Sequence, residues 1–105
     1  MPKRESQFQA ELVKDLKRLF RDCLILKNDS GYIQGIPDLL ILYGSSWAAL
    51  EVKDSLDAHR QPNQEYYIEE LDNMSFASFI CPENKREVLY ELQQTFKSRG
   101  ATRLS

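Results

Sequence analysis

Apolar side chains recur at intervals of three and four residues near both ends of the chain, the spacing of one helix face. In the first part of the chain this spacing predicts an amphipathic helix over about residues 4–21. Its apolar members are Phe8, Leu12, Leu16, Leu19 and Phe20. Near the other end, Pro82 opens a predicted helix over about 83–98, followed by a frayed tail from Gly100. Its apolar face holds Val88, Leu89, Leu92 and Phe96.

Four short apolar segments between these helices have the length and composition of strands. They are residues 24–26, 37–43, 47–53 and 75–80. Apart from Asp38, the segment 37–43 is apolar, which predicts a central strand. Pro62 suits the first turn of a helix running to about residue 72. The order α-β-β-β-α-β-α predicts an α/β domain with a mixed central sheet flanked by helices.

Length and composition favour one small soluble domain. The chain has 105 residues, of which 42% are hydrophobic and 29% charged. No apolar run approaches the roughly 20 residues of a membrane span. The first residues carry charges without an apolar segment behind them, so we expect a cytoplasmic protein without a secretory signal. Cys23 and Cys81 stand apart from each other and from His59, which predicts reduced thiols and no zinc site.

Charge is distributed unevenly along the chain, and the net charge is −2. Residues 3–27 and 85–103 are basic, whereas residues 51–72 are acidic. A nucleic-acid partner would therefore have to be contacted by local basic segments, with steep salt dependence. The candidates for phosphate contacts are Lys3, Arg4, Lys14, Lys17, Arg18 and Lys27.

The candidate chemistry lies at the ends of two neighbouring predicted strands. Asp38 follows Pro37 at the start of one, and Glu51 and Lys53 lie at the end of the next. A hairpin would place Asp38 beside Glu51, and strand alternation puts Lys53 on the same face as Glu51. Two carboxylates can hold Mg²⁺, and a lysine can stabilise charge on a phosphate in the transition state. The alternative is a strand-initiating turn and a solvent-facing ion pair on an edge strand.

These residues resemble a known motif. Gly35-Ile36-Pro37-Asp38 with Leu50-Glu51-Val52-Lys53 resembles the PD-(D/E)xK nuclease superfamily. The downstream Gln61-Pro62-Asn63-Gln64 is most similar to its VRR-NUC branch, which includes small phage-encoded endonucleases and resembles Holliday-junction resolvases. The resemblance covers nearly the whole chain. It implies a restriction-endonuclease-like fold and Mg²⁺-dependent DNA cleavage, with Mn²⁺ able to substitute.

The resemblance also implies roles for the residues of the motif. Asp38 would be the central metal ligand, Glu51 the second, and the backbone carbonyl of Val52 a third. Lys53 would position the attacking water or stabilise the pentacovalent phosphorus.

Two further positions are implied outside the strands. The family places a glutamate on the first helix near the metal, and Glu5 is the better match because Gln9 follows one turn later. Glu11 is the second choice, and either could instead be a solvated helix carboxylate. Gln64 would hold the water or a phosphate, or serve only as a polar residue at a helix start. His59 is a possible general acid but more typical of a surface loop.

From this resemblance we expect a structure-selective endonuclease of phage or bacterial origin, acting on branched DNA such as a Holliday junction. The small size favours a homodimer, with the acidic helix around 65–72 facing solvent or the partner subunit. One alternative is a non-catalytic nucleic-acid-binding or assembly subunit of the same fold. Another is an unrelated α/β domain in which the motif is coincidental. Tyr32 either stacks on a splayed base or caps the core.

Overall fold

The computed structural model describes residues 3–29 and 31–104, with side chains described over 4–29 and 31–98. Three helices and four strands follow one another in the predicted order. They are α1 (Lys3–Leu19), β1 (Leu24–Lys27), β2 (Leu39–Tyr43), β3 (Ser46–Val52), α2 (Pro62–Met74), β4 (Phe76–Ile80) and α3 (Lys85–Leu104). The fold is α/β, as the sequence predicts.

The four strands form one mixed sheet in the spatial order β1-β2-β3-β4. β1, β2 and β3 are an antiparallel meander, and α2 carries the chain across the sheet so that β4 runs parallel to β3. Both β2 and β3 are internal strands. The prediction that the apolar segment 37–43 is central is therefore confirmed.

The main core lies between one face of the sheet and the helices α1 and α3. The apolar stripe of α1 is buried at every fourth position, which matches the 3.6-residue helical repeat. The buried members of this core on the helices, and on the residue directly after α1, are Phe8, Leu12, Leu16, Phe20, Val88, Leu89, Leu92 and Phe96. Those on the sheet are Leu39, Ile41, Ala48, Leu50, Val52, Phe76 and Ile80. Burial of each large apolar side chain contributes about 1.5–3 kcal/mol, so this layer holds the strands that carry the candidate site.

The boundaries of some elements differ from the sequence prediction. β2 begins at Leu39, after the Pro37-Asp38 step, instead of at residue 37. The last helix begins at Lys85, because the Asn84 side chain accepts the Cys81 N–H at 2.8 Å and ends the preceding turn. That helix continues to Leu104, so the predicted end near residue 98 and the frayed tail from Gly100 are wrong for the backbone.

The two cysteines are free thiols, with Cys81 buried and Cys23 half-buried against the core. Burial raises the pKa of both thiols. No helix among residues 3–29 and 31–104 has the length and apolar character needed to cross a membrane.

Candidate active site

The β2–β3 hairpin brings Asp38 and Glu51 to opposite positions at one end of the sheet. A two-residue turn joins the strands, and Gly44 supplies its left-handed backbone with φ of 62°. Pairing then runs regularly to Leu39 opposite Leu50. One residue further, Asp38 faces Glu51, and the Asp38 carboxylate accepts the backbone N–H of Val52 at 2.8 Å. The juxtaposition expected from the sequence is therefore present.

Glu51 is buried, although it is a carboxylate on the strand that carries the core. Its relative exposure is 4%, and β3 lies between two other strands. Its nearest cation is Lys53, whose Nζ lies 4.0 Å from Glu51 Oε2. The alternative of a solvent-facing ion pair on an edge strand is therefore wrong.

The Lys53 ammonium is fixed by two acceptors on the other side of the site. It donates to Gln64 Oε1 at 2.9 Å and to the backbone carbonyl of His59 at 3.0 Å. Gln64 in turn donates from Nε2 to Glu51 Oε2 at 3.1 Å and accepts the backbone N–H of Gln61 at 3.0 Å. The side chain of Gln64 thus joins the start of α2 to both charged groups of β3. His59 contributes its carbonyl, and its imidazole is on an exposed residue.

Burial and mutual repulsion change the proton affinity of the acidic pair. Burial raises the pKa of Asp38, although the hydrogen bonds with the Val52 N–H and with the Glu51 carboxyl oppose this. Burial, and then the charge of Asp38, raise the pKa of Glu51 to about 8, although Lys53 opposes them. At neutral pH and without a cation, the pair therefore retains a proton.

This raised pKa predicts that the metal-free protein loses stability as the pH rises. Glu51 has an ordinary pKa of 4.5 in the unfolded chain and a pKa of about 8 in the folded one, so the folded state binds the extra proton between these values. The free energy of unfolding should therefore fall from pH 5 to pH 8, by on the order of 2 kcal/mol. Urea denaturation in EDTA at both pH values measures the difference. If Glu51→Gln shows the same fall as the wild type, Glu51 is not its source.

Glu5 reaches the same site from the first turn of α1. Burial and then the negative charge of Asp38 raise the pKa of Glu5, while Lys53 opposes them. Its carboxyl is also among the groups that act on Glu51. Glu11 lies two turns further along α1 and lines a different cleft, so the structure brings Glu5 and not Glu11 to the acidic pair.

If the site has the metal-dependent nuclease activity that the resemblance implies, Glu5→Gln should slow cleavage more than Glu11→Gln does. Both substitutions remove one negative charge from α1, so they form a matched pair. The loss at Glu5 should be about 10-fold or more, the scale of a residue that supports a metal site. Initial rates on one DNA substrate at equal enzyme concentration compare them. A greater loss in Glu11→Gln would transfer the role to Glu11.

The segment between β1 and β2 is fixed against the site by contacts that the residue pattern does not predict. The Asn28 side chain donates to the Pro37 carbonyl at 2.8 Å, and its backbone N–H donates to the Asp38 carbonyl at 2.9 Å. Gly35 has φ of 92°, and a Cβ there would lie 2.7 Å from the Asn63 side chain. A left-handed glycine packed against α2 therefore sets the entry into β2.

Tyr32 lies on this segment with 83% of its surface exposed. Of the two alternatives for this side chain, capping of the core is therefore wrong. Stacking on a base stays a prediction.

The charge of the candidate site matches that of one divalent cation. When ionised, the three carboxyls of Glu5, Asp38 and Glu51 and the ammonium of Lys53 carry a net charge of −2, which one such ion would neutralise. The N–H and C=O of one strand residue point to the same neighbouring strand. Because the Val52 N–H points to Asp38, the Val52 carbonyl also faces Asp38, beyond the last paired residues of β2 and β3. Within the described residues, no three His, Cys, Asp or Glu side chains form a metal-binding group. Asp38, Glu51 and the Val52 carbonyl make a smaller set, and Mg²⁺ commonly uses one or two carboxylates and retains waters.

Comparisons of the chain with protein-family models, with curated proteins and with solved structures found no match.

Proposed function

We propose that this protein is a metal-dependent DNA endonuclease that hydrolyses phosphodiester bonds. The observation that carries the proposal is the juxtaposition of the half-buried Asp38, just before β2, with the buried Glu51 on β3, and the Lys53 ammonium 4.0 Å from Glu51. Burying adjacent like charges in this way is costly unless a cation or proton compensates them. In a domain that binds no metal and catalyses no reaction at this position, the two carboxylates would lower stability without serving a function.

Asp38, Glu51 and the Val52 carbonyl would hold the cation, Mg²⁺ or Mn²⁺. Such an ion supplies Lewis-acid polarisation of a phosphate and a bound water of lowered pKa. Glu5 adds negative charge at the edge of the set, where it can accept a hydrogen bond from a water. The Val52 N–H holds the Asp38 carboxylate at 2.8 Å and so orients it before any ligand arrives.

Lys53 is arranged to act on the substrate. An ammonium has three N–H donors. Two are directed to Gln64 Oε1 and the His59 carbonyl, and Glu51 at 4.0 Å lies outside hydrogen-bond range. One donor therefore remains for a phosphate oxygen or for the attacking water. Gln64 and His59 position Lys53 and do not themselves need to contact the substrate.

The expected substrate is branched DNA, met in the cytoplasm of a bacterial cell. The charged side chains of this domain can recognise DNA through phosphate contacts and DNA shape, which need no reading of bases. A cleavage panel tests the proposal. Four-way junctions, flaps, nicked duplexes and single strands are incubated with the protein at low salt in Mg²⁺, in Mn²⁺ and in EDTA. Metal-dependent cutting that favours the branched substrates supports the proposal, and no cutting of any substrate contradicts it.

We further propose that two copies associate through the open edge of the sheet. On edge strand β1, Leu24 and Leu26 are 64% and 46% exposed, and they lie beside Leu42 and Leu40 of β2 on one face. An apolar edge strand is a template for pairing with another strand, and a second copy offers the same strand in a self-complementary two-fold arrangement.

Light scattering at micromolar concentration, with and without branched DNA, should therefore give a dimer mass. Leu24→Asp should give monomer. Leu19→Asp is the matched control, because Leu19 is an exposed leucine at the end of α1, and it should remain dimeric. A wild-type protein that is monomeric under both conditions contradicts the dimer.

A further inference from the structure

A second cleft lies beside the candidate site, between the first half of α1 and the segment that follows β4. Its volume is about 360 Å³. Its lining residues are Arg4, Gln7, Phe8, Glu11, Pro82 and Lys85. None of them belongs to the acidic pair or to the network that holds Lys53.

Both walls of this cleft are continuous with the site. On the α1 wall, Arg4 is the neighbour of Glu5, whose carboxyl acts on Asp38. On the other wall, the Ile80 carbonyl accepts the backbone N–H of Lys53 at 2.9 Å, and Pro82 follows two residues later. A DNA strand bound at the candidate site can therefore extend into this cleft.

The cleft carries cations on opposite walls. Lys85 is held in place, because its ammonium pairs with the Asp15 carboxylate and lies 5.9 Å from the centre of the Phe8 ring. Arg4 is exposed and makes no ion pair or hydrogen bond with any residue that the structure describes. Among the described lining residues Glu11 is the only acid, and Asp15, outside the lining, compensates Lys85. A guanidinium with all its donors free is suited to the two oxygens of a phosphodiester.

We propose that this cleft binds a backbone phosphate of the DNA, next to the phosphate at the metal site, with the unpaired Arg4 guanidinium as its main contact. The neighbouring position of that phosphate rests on the proposed function, whereas binding of DNA at the cleft does not. Glu11 lowers the affinity of the cleft by opposing the phosphate charge.

The test is fluorescence anisotropy with a labelled four-way junction in EDTA, so that binding is measured without cleavage, over 50–200 mM salt. Arg4→Gln should weaken binding by about 5- to 10-fold at the lowest salt and reduce the log–log salt slope by about 0.9, the loss of one phosphate contact. Glu11→Gln should strengthen binding. Arg21→Gln is the matched control, because Arg21 is exposed and lies roughly 25 Å along the helix direction from Arg4. It should leave the slope unchanged.

The inference is overturned if Arg4→Gln keeps the wild-type slope, if it loses no more affinity than Arg21→Gln, or if Glu11→Gln weakens binding. Such results leave the metal site untouched, because cleavage is measured separately. A protein that binds DNA through Arg4 but cuts no substrate in the panel has the opposite meaning: the cleft is retained and the proposed nuclease activity is wrong. Circular dichroism of each variant checks that the fold is intact.

Discussion

Glu51→Gln is expected to abolish metal-dependent cleavage and, at the same time, to stabilise the metal-free protein at pH 8. The cleavage loss should be at least about 10³-fold, because the substitution removes an anionic ligand and a bound ion supplies several kcal/mol of transition-state stabilisation. The free energy of unfolding should rise by on the order of 2 kcal/mol. An amide at position 51 has no charge, so neither burial nor the Asp38 carboxylate destabilises the folded state there. Rates on branched DNA and urea denaturation in EDTA measure the two effects.

Glu51→Gln should lower the cleavage rate and raise the stability, and a substitution that only disrupts the fold would lower both. An amide at position 51 can still accept from Gln64 and donate to the Asp38 carboxylate, so the packing of the site is kept. Asp38→Asn should behave similarly in cleavage, since its amide oxygen can still accept the Val52 N–H. Glu69→Gln, on an exposed position of α2, is the control and should change neither quantity. Wild-type cleavage by either site variant would remove that residue from the assignment.

Lys53→Met is expected to slow cleavage by about 10²–10³-fold while leaving metal affinity largely intact, the usual cost of one lost electrostatic contact to the transition state. The ammonium is a donor and not a ligand, and its removal reduces repulsion of a bound cation. Single-turnover cleavage and Mn²⁺ titration of the same variant separate the two effects.

Lys97→Met is the matched control, because Lys97 is exposed on α3 away from the site. A collapse of Mn²⁺ affinity in Lys53→Met would mean that Lys53 holds the ligands in place instead of acting on the substrate. An unchanged cleavage rate would mean that the third donor of the ammonium has no catalytic use.

The hairpin part of the site follows from the sequence because it depends on local rules. The turn at Gly44 and the alternation of strand side chains fix which residues face each other, so Asp38, Glu51 and Lys53 can be placed without a structure. The burial of Glu51 is harder to predict. It depends on β4 pairing in parallel beyond β3 and on the start of α2 covering that end of the sheet.

The spacing of apolar residues does not predict contacts between segments that are far apart in the sequence. Glu5 was matched through the resemblance alone, since a helix carboxylate near the N-terminus has no pattern that separates it from a solvated one. For Gln64 the resemblance implies a contact to water or phosphate, with a polar residue at a helix start as the alternative, and neither predicts that its amide bridges Lys53 and Glu51. Gly35, two residues before Pro37, is a signal for a special backbone. The packing of Gly35 against Asn63 was nevertheless not predictable, because the two residues are 28 positions apart.

Calorimetric titration of Mn²⁺ measures whether Asp38 and Glu51 form one divalent-cation site. At pH 8, the wild-type protein and Glu69→Gln should each bind one ion per chain and release protons, because the cation displaces the proton held by the pair. Glu51→Gln should lose this binding. Wild-type protein that binds no Mn²⁺, or Glu51→Gln that binds it as the wild type does, would contradict the account.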